Sequence, residues 1–246
     1  MKNWKRYAAL ILSVALMLTM FTACGKKDKD NGEDKKSDVP SAFADKLLEP
    51  YIKMILSGDY TYEATQYGGT PVTYAKSGND KVLLSTKVNA DGENTTLTLM
   101  KISGKYYIVF PTQKSYTQAT DKEIKNYNLE GLFDGLSFDS FVNASFDKSG
   151  KVEYKGQTYK FEDYYTSYTQ ITNRFFFDDD DNLVMVGKVN SKGNVPKPNT
   201  IKMYETNSNT FDILNDYTLV EQTGTETKKA ETTTTAKANG SASILG

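Results

Sequence analysis

The apolar positions of this chain follow three spacings in turn: an unbroken run, a helical period and a strand alternation. The unbroken run extends from Ala8 to Phe21, behind the cations Lys2, Lys5 and Arg6. It is shorter than the roughly 20 apolar residues of a membrane-spanning helix. A basic start, a short apolar run and a close in small residues predict a secretory signal over residues 1–23 that is removed on export. The stretch from Gly25 to Asp38 is then nearly all Lys, Asp, Glu and Gly. It holds too little apolar surface to offset the entropy of ordering it, so residues 24–40 are expected to be a disordered tether.

The helical period begins at Phe43 and continues through Leu47, Leu48, Ile52, Ile55 and Leu56. It predicts a helix from Ala42 to Ser57, capped by Ser41 and ended by Gly58. Pro50 falls inside that span, where a lost hydrogen bond costs about 3 kcal/mol, so a kink or two short helices are expected there.

Alternation takes over at Tyr60 and predicts strands at Tyr60–Thr65, Val72–Ala75, Lys81–Asn89, Thr95–Ile102, Lys105–Phe110 and Lys114–Gln118. The connections are short, among them Gly78-Asn79-Asp80 and Ser103-Gly104. Tight turns make sequence neighbours antiparallel, since a parallel crossover needs a dozen or more residues. Thr120 and Glu123 then have the spacing of a capping box and open a helical insertion containing Ile124, Leu129, Leu132, Phe133 and Leu136. Gly131 and Gly135 argue against one long helix, so one helix and a short turn are expected before Phe146. Strands resume at Lys151–Tyr154, Thr158–Tyr164, Tyr168–Phe177, Leu183–Val189 and Thr200–Thr206, with a last candidate at Phe211–Leu219. Residues 222–246 are Thr, Lys, Ala, Gly and Ser for the most part, the composition of a flexible tail.

Composition removes whole classes of chemistry. There is no histidine and only one cysteine, so histidine-dependent triads, imidazole or thiolate zinc sites and disulfides are unavailable. With 30 basic and 31 acidic residues, no electrostatic argument points to nucleic acid. The 17 Tyr and 12 Phe favour sheet over helical bundle. No cofactor, no metal and no catalytic residue is called for, and a non-enzymatic monomer is expected.

The segment Phe21-Thr22-Ala23-Cys24 resembles the lipobox of bacterial lipoproteins, with Phe21 where that motif usually carries leucine. The resemblance implies that Cys24 is acylated through its sulfur and becomes the first residue after cleavage. A thiolate is the nucleophile that takes an acyl group, and each buried methylene adds about 0.8 kcal/mol of membrane affinity. Membrane lipid would thus hold the protein on the outer face of the cytoplasmic membrane.

In order, the tether, one amphipathic helix, a meander, a helical insertion and further strands resemble the LolA and LppX type of lipoprotein domain, over residues 41–221. Arg174-Phe175-Phe176-Phe177-Asp178, Asn182-Leu183-Val184 and Phe211–Tyr217 carry the local likeness, with Leu214 where many such domains have proline. The resemblance implies an α+β fold: a strongly curved antiparallel half-barrel, with the N-terminal helix and the helical insertion packed on its concave face. It also implies binding of an apolar or lipid-like ligand between sheet and helices. The residues agree on one point. Tyr106–Phe110, Phe175–Phe177 and Leu183–Val186 are apolar on both strand faces, so something covers the second face. Packing by helices and loops is one account, and a ligand cavity is the other. An anchored envelope module with a filled core, binding a protein or glycan partner, is the alternative function.

Three local patterns invite a site. Asp178 to Asp181 with Asn182 resembles a calcium loop but lacks its central glycine, and Val189 stands where the bidentate glutamate belongs, so a polar hairpin turn is expected. Glu162 and Asp163 are neighbours on a strand and point to opposite faces, so they cannot act as a carboxylate pair. Tyr154, Tyr159, Tyr164, Tyr165 and Tyr168 suggest either a stacking platform or cross-strand pairs within a sheet.

Overall fold

A computed structural model describes residues 39–65, 69–90 and 93–220 of the chain. The signal segment 1–23, Cys24, the tether as far as residue 38 and the tail 222–246 lie outside the described residues.

The alternating segments form one large, curved, unclosed sheet of twelve strands. These are β1 (Asp59–Thr65), β2 (Pro71–Ser77), β3 (Lys81–Ala90), β4 (Glu93–Ile102), β5 (Lys105–Phe110), β6 (Ser115–Gln118), β7 (Ser145–Tyr154), β8 (Gln157–Thr166), β9 (Ile171–Phe177), β10 (Leu183–Lys188), β11 (Asn199–Tyr204) and β12 (Thr218–Leu219). Their order is β12-β6-β5-β4-β3-β2-β1-β11-β10-β9-β8-β7. Two meanders thus run outwards from β1, one through β2 to β6 and the other backwards from β11 to β7. Every pairing is antiparallel except that of the two-residue β12 with β6.

The first helix is shorter than the periodicity predicts. Residues 41–48 are turns, and α1 spans Glu49–Ser57 with Pro50 in its first turn. A proline there lacks only a donor that would have had no intrahelical partner, so Pro50 marks the start of the helix and does not kink it. Gly58 follows in the left-handed conformation, φ 76°, and ends it.

The capping box at Thr120 and Glu123 is present and opens α2 (Asp121–Asn126). Asn128, at φ 46°, separates it from α3 (Leu129–Leu136), and a 3₁₀ turn follows at Asp139–Asn143. The break therefore falls before either glycine. The last strand candidate also changes form: Ser208–Asp216 is 3₁₀ helix and only Thr218–Leu219 is strand. Phe211 and Leu214 are three residues apart, the 3₁₀ period, and both join a cluster on the sheet. β7 begins six residues before the predicted strand, at Ser145.

The insertion joins β6 near one edge to β7 at the other, so it must cross the sheet. Its rings mark the path. Phe133 stacks on Tyr106 of β5 with centroids 6.1 Å apart, Phe138 meets Tyr62 of β1 edge-on at 5.1 Å, and Phe141 reaches Phe175 of β9 at 4.9 Å. These residues share one buried cluster with Phe43, Ile52 and Ile55 and with every second residue of the strands, such as Val82 and Leu84. The intervening residues face the other way. Ala75, Leu83, Met100 and Val109 are covered by Phe211, while Phe176 and Met185 are covered by Val195. Gly187 permits the second contact, because a Cβ there would collide with Val195. Both faces of the sheet are therefore covered by the chain itself, which accounts for strands that are apolar on both sides.

Candidate functional site

Four strands in register, β2 to β5, build the floor of a cleft under the insertion, and β1 flanks it. Tyr60 of β1 lies opposite Lys76 of β2, Lys76 opposite Val82 of β3, Val82 opposite Lys101 of β4, and Lys101 opposite Tyr106 of β5. One row across the sheet thus places two lysines on either side of a valine, with a tyrosine at each end. Tyr74, two residues from Lys76, adds a buried ring beside the row.

The insertion supplies the roof: Glu130, Phe133 and Asp134 from α3, then Ser137 and Asp139. Between floor and roof is a cleft of about 300 Å³. Three sets of polar contacts tie floor to roof. The Tyr60 hydroxyl accepts the backbone N–H of Phe138 at 3.0 Å, donates to Asp139 Oδ1 at 3.3 Å and lies 3.1 Å from Ser137 Oγ. Lys76 forms an ion pair with Asp139. Tyr106 donates to Glu130 Oε1 at 3.1 Å, and the Lys101 ammonium sits 5.5 Å from the centre of the Tyr106 ring.

Carboxylates stand at both ends of the cleft, Glu130 and Asp134 at one and Asp139 at the other. Burial and then the Glu130 carboxylate push the Tyr106 phenol up to about 12, with Asp134 adding to the shift. Tyr60 is raised by burial first and by the charge of Asp139 second, and Tyr74 is raised mainly by burial. Asp134 is exposed, and its carboxylate has no hydrogen bond or ion pair among the described residues.

The residues singled out in the sequence lie elsewhere. Asp178 closes the turn between β9 and β10: its carboxylate accepts the backbone N–H groups of Asp180 and Asn182 and the Asn182 amide. The Asn182 backbone contact is the largest of the effects that hold this carboxyl below its ordinary value. Lys160 pairs with Asp181 at 2.5 Å. These oxygens are occupied as a hairpin turn occupies them. Glu162 and Asp163 do face opposite sides. Glu162 accepts the backbone N–H of Leu47 at 2.8 Å and of Leu48 at 3.1 Å, and the Tyr164 hydroxyl at 3.0 Å. Asp163 is gripped by both nitrogens of the Arg174 fork at 2.7 Å, and Arg174 lies over the Phe161 ring at 3.9 Å.

The five tyrosines are not brought together. Tyr164 is buried in the main cluster, Tyr154 and Tyr159 contact Phe176 on the other face, and Tyr165 and Tyr168 are exposed. Sequence reasoning misses the cleft residues, although two of them carry a signal. In Val72-Tyr74-Lys76 and Leu97-Leu99-Lys101, a lysine stands at the third inward position of an apolar stripe.

No known protein family and no curated protein matches this chain. Among solved structures it is similar to an uncharacterized conserved protein from Thermus thermophilus, at 8% identity over 72% of this chain and 97% of that one, with a TM-score of 0.34. It is also similar to a putative outer membrane lipoprotein-sorting protein domain from Vibrio parahaemolyticus, at 11% identity over 64% of this chain and 89% of that one, with a TM-score of 0.30.

Proposed function

We propose that this protein is an exported lipoprotein, held on the outer face of the cytoplasmic membrane by acylated Cys24, that binds a small amphipathic molecule without chemically changing it. The cleft between sheet and insertion carries this reading. Val82, Phe133 and the rings of Tyr74 and Tyr106 give it apolar walls, while Lys76, Lys101, Glu130 and Asp139 supply polar groups that orient a guest. In this reading the sheet is a half-barrel whose concave side holds α1 and the insertion, and its monomeric domain of residues 41–221 hangs from a tether. The lipobox-like Phe21-Thr22-Ala23-Cys24 supports the anchor.

Native mass spectrometry with lipid extraction, on protein purified from cells under mild conditions, tests the reading. A reproducible co-purifying molecule, lost when Val82→Trp fills the cleft, supports it. A mass without any guest, unchanged after incubation with cell lipids, overturns it.

A second reading has its own support. Phe43 stacks on Tyr164 at 4.8 Å and Tyr62 on Tyr74 at 5.3 Å, so rings of the chain itself fill much of the space between helices and sheet. A filled core suits an anchored module that meets a protein or glycan partner on its surface.

A further inference from the structure

The charges of the cleft are not balanced, and the imbalance selects among guests. Lys76 and Asp139 neutralise each other as an ion pair. That leaves one cation, Lys101, against two carboxylates, Glu130 and Asp134. Lys101 is also partly quenched by the electron-rich face of Tyr106 beneath its ammonium. The roof carboxylates are not quenched to the same degree. Glu130 accepts one phenolic hydroxyl, and Asp134 has no hydrogen bond or ion pair among the described residues. Burial is the largest cause of the upward shift of the Tyr106 phenol, and both carboxylates add to it in the direction that favours positive charge.

The rings act in the same sense. Tyr74, Tyr106 and Phe133 line the cleft, and aromatic faces attract cations at about 0.5–2 kcal/mol each and repel anions.

We propose that the guest of this cleft carries a cation, an ammonium or guanidinium group, seated between Glu130 and Asp134 with its apolar body over Val82. The inference rests on the binding reading above and narrows it to one chemical class. Lys101 stands on the floor across from the carboxylates and repels a cation placed too deep. The charged end therefore lies towards the roof and the apolar end towards the sheet.

Three probes with one apolar body separate the cases: 2-(1-naphthyl)ethylamine, 2-(1-naphthyl)ethanol and 1-naphthaleneacetate, each titrated calorimetrically into the full chain at neutral pH. The amine is expected to bind about tenfold tighter than the alcohol, the ratio one charge-assisted hydrogen bond supplies, and the acetate weakest. The near-isosteric double variant Glu130→Gln with Asp134→Asn should remove the preference for the amine, bringing amine and alcohol to equal affinity. Lys101→Met should tighten the amine further. Equal binding of all three probes overturns the charge selection and leaves the cleft as a binding site. Tightest binding of the acetate also overturns it, with Lys101 as the reading group. Failure of all three to bind removes both the inference and the reading on which it rests.

Discussion

Glu162 on β8 accepts the backbone N–H of Leu48, 114 residues earlier in the chain, at 3.1 Å. Leu48 is the N-cap position just before α1, and its own side chain makes no capping hydrogen bond. A carboxylate from the sheet therefore accepts the N–H of the N-cap residue, as the glutamate of a capping box does, and places negative charge at the helix N-terminus, where the dipole favours it. The start of α1 is thereby fastened to the C-terminal meander.

Removing that carboxylate tests the link. Glu162→Ala leaves the N–H groups of Leu47 and Leu48 and the Tyr164 hydroxyl without their acceptor, at a cost of about 3 kcal/mol. Glu162→Gln keeps one acceptor oxygen and should lose less than half as much. Urea unfolding followed by far-ultraviolet circular dichroism measures both. Equal stability of the alanine variant and the parent would show that the cap is dispensable.

On the opposite face Asp163 and Arg174 form a buried pair, with relative exposures of 0% and 4%. Breaking it by Arg174→Met strands a buried carboxylate and should cost about 3–5 kcal/mol, whereas Asp163→Leu with Arg174→Met should recover most of that loss. Lys148, 4.0 Å from Asp163 and half exposed, is too far out to replace the guanidinium. Chemical unfolding of the two single variants and the double variant checks the sign of the coupling. Additive losses would contradict it.

Alkaline stability follows from the buried phenols. Burial holds Tyr60, Tyr62, Tyr74 and Tyr164 above the ordinary value of 10.0. Below pH 10 these groups are neutral in both states and their contribution is complete. Above it the unfolded chain releases protons that the folded chain keeps, so stability falls as pH rises towards the folded values. Tyrosinate absorbance from these four phenols should therefore appear in one cooperative step that coincides with unfolding. A single gradual titration of all tyrosines near pH 10, with the fold intact, would sink this account.

These features differ in how far they can be read from the sequence. The meanders are legible because their turns carry local chemistry: Gly78, Gly104 and Gly156 all have positive φ between alternating runs. The capping box at Thr120 and Glu123 is likewise a contact between near neighbours. Pro50 misleads because its cost depends on where the helix starts, and the residues just before that start are held by Glu162 from a distant strand. The segment 208–216 misleads because Phe211 and Leu214 answer to the sheet face beneath them and not to a partner strand. The cleft needs the register of β2, β3 and β4 before Lys76, Val82 and Lys101 can be placed side by side. Only the inward position of the two lysines is visible without it.

Val82 and Leu83 are adjacent on β3, almost equally buried, and face opposite sides of the sheet. That makes them a matched pair of reporters for the cleft. Methyl-detected NMR on protein with labelled Val and Leu, titrated with an extract of cell-envelope lipids and small molecules, reads both at once. The binding account predicts saturable shifts of the Val82 methyls while those of Leu83 stay fixed. Silent Val82 methyls, or shifts of Leu83 alone, would contradict it.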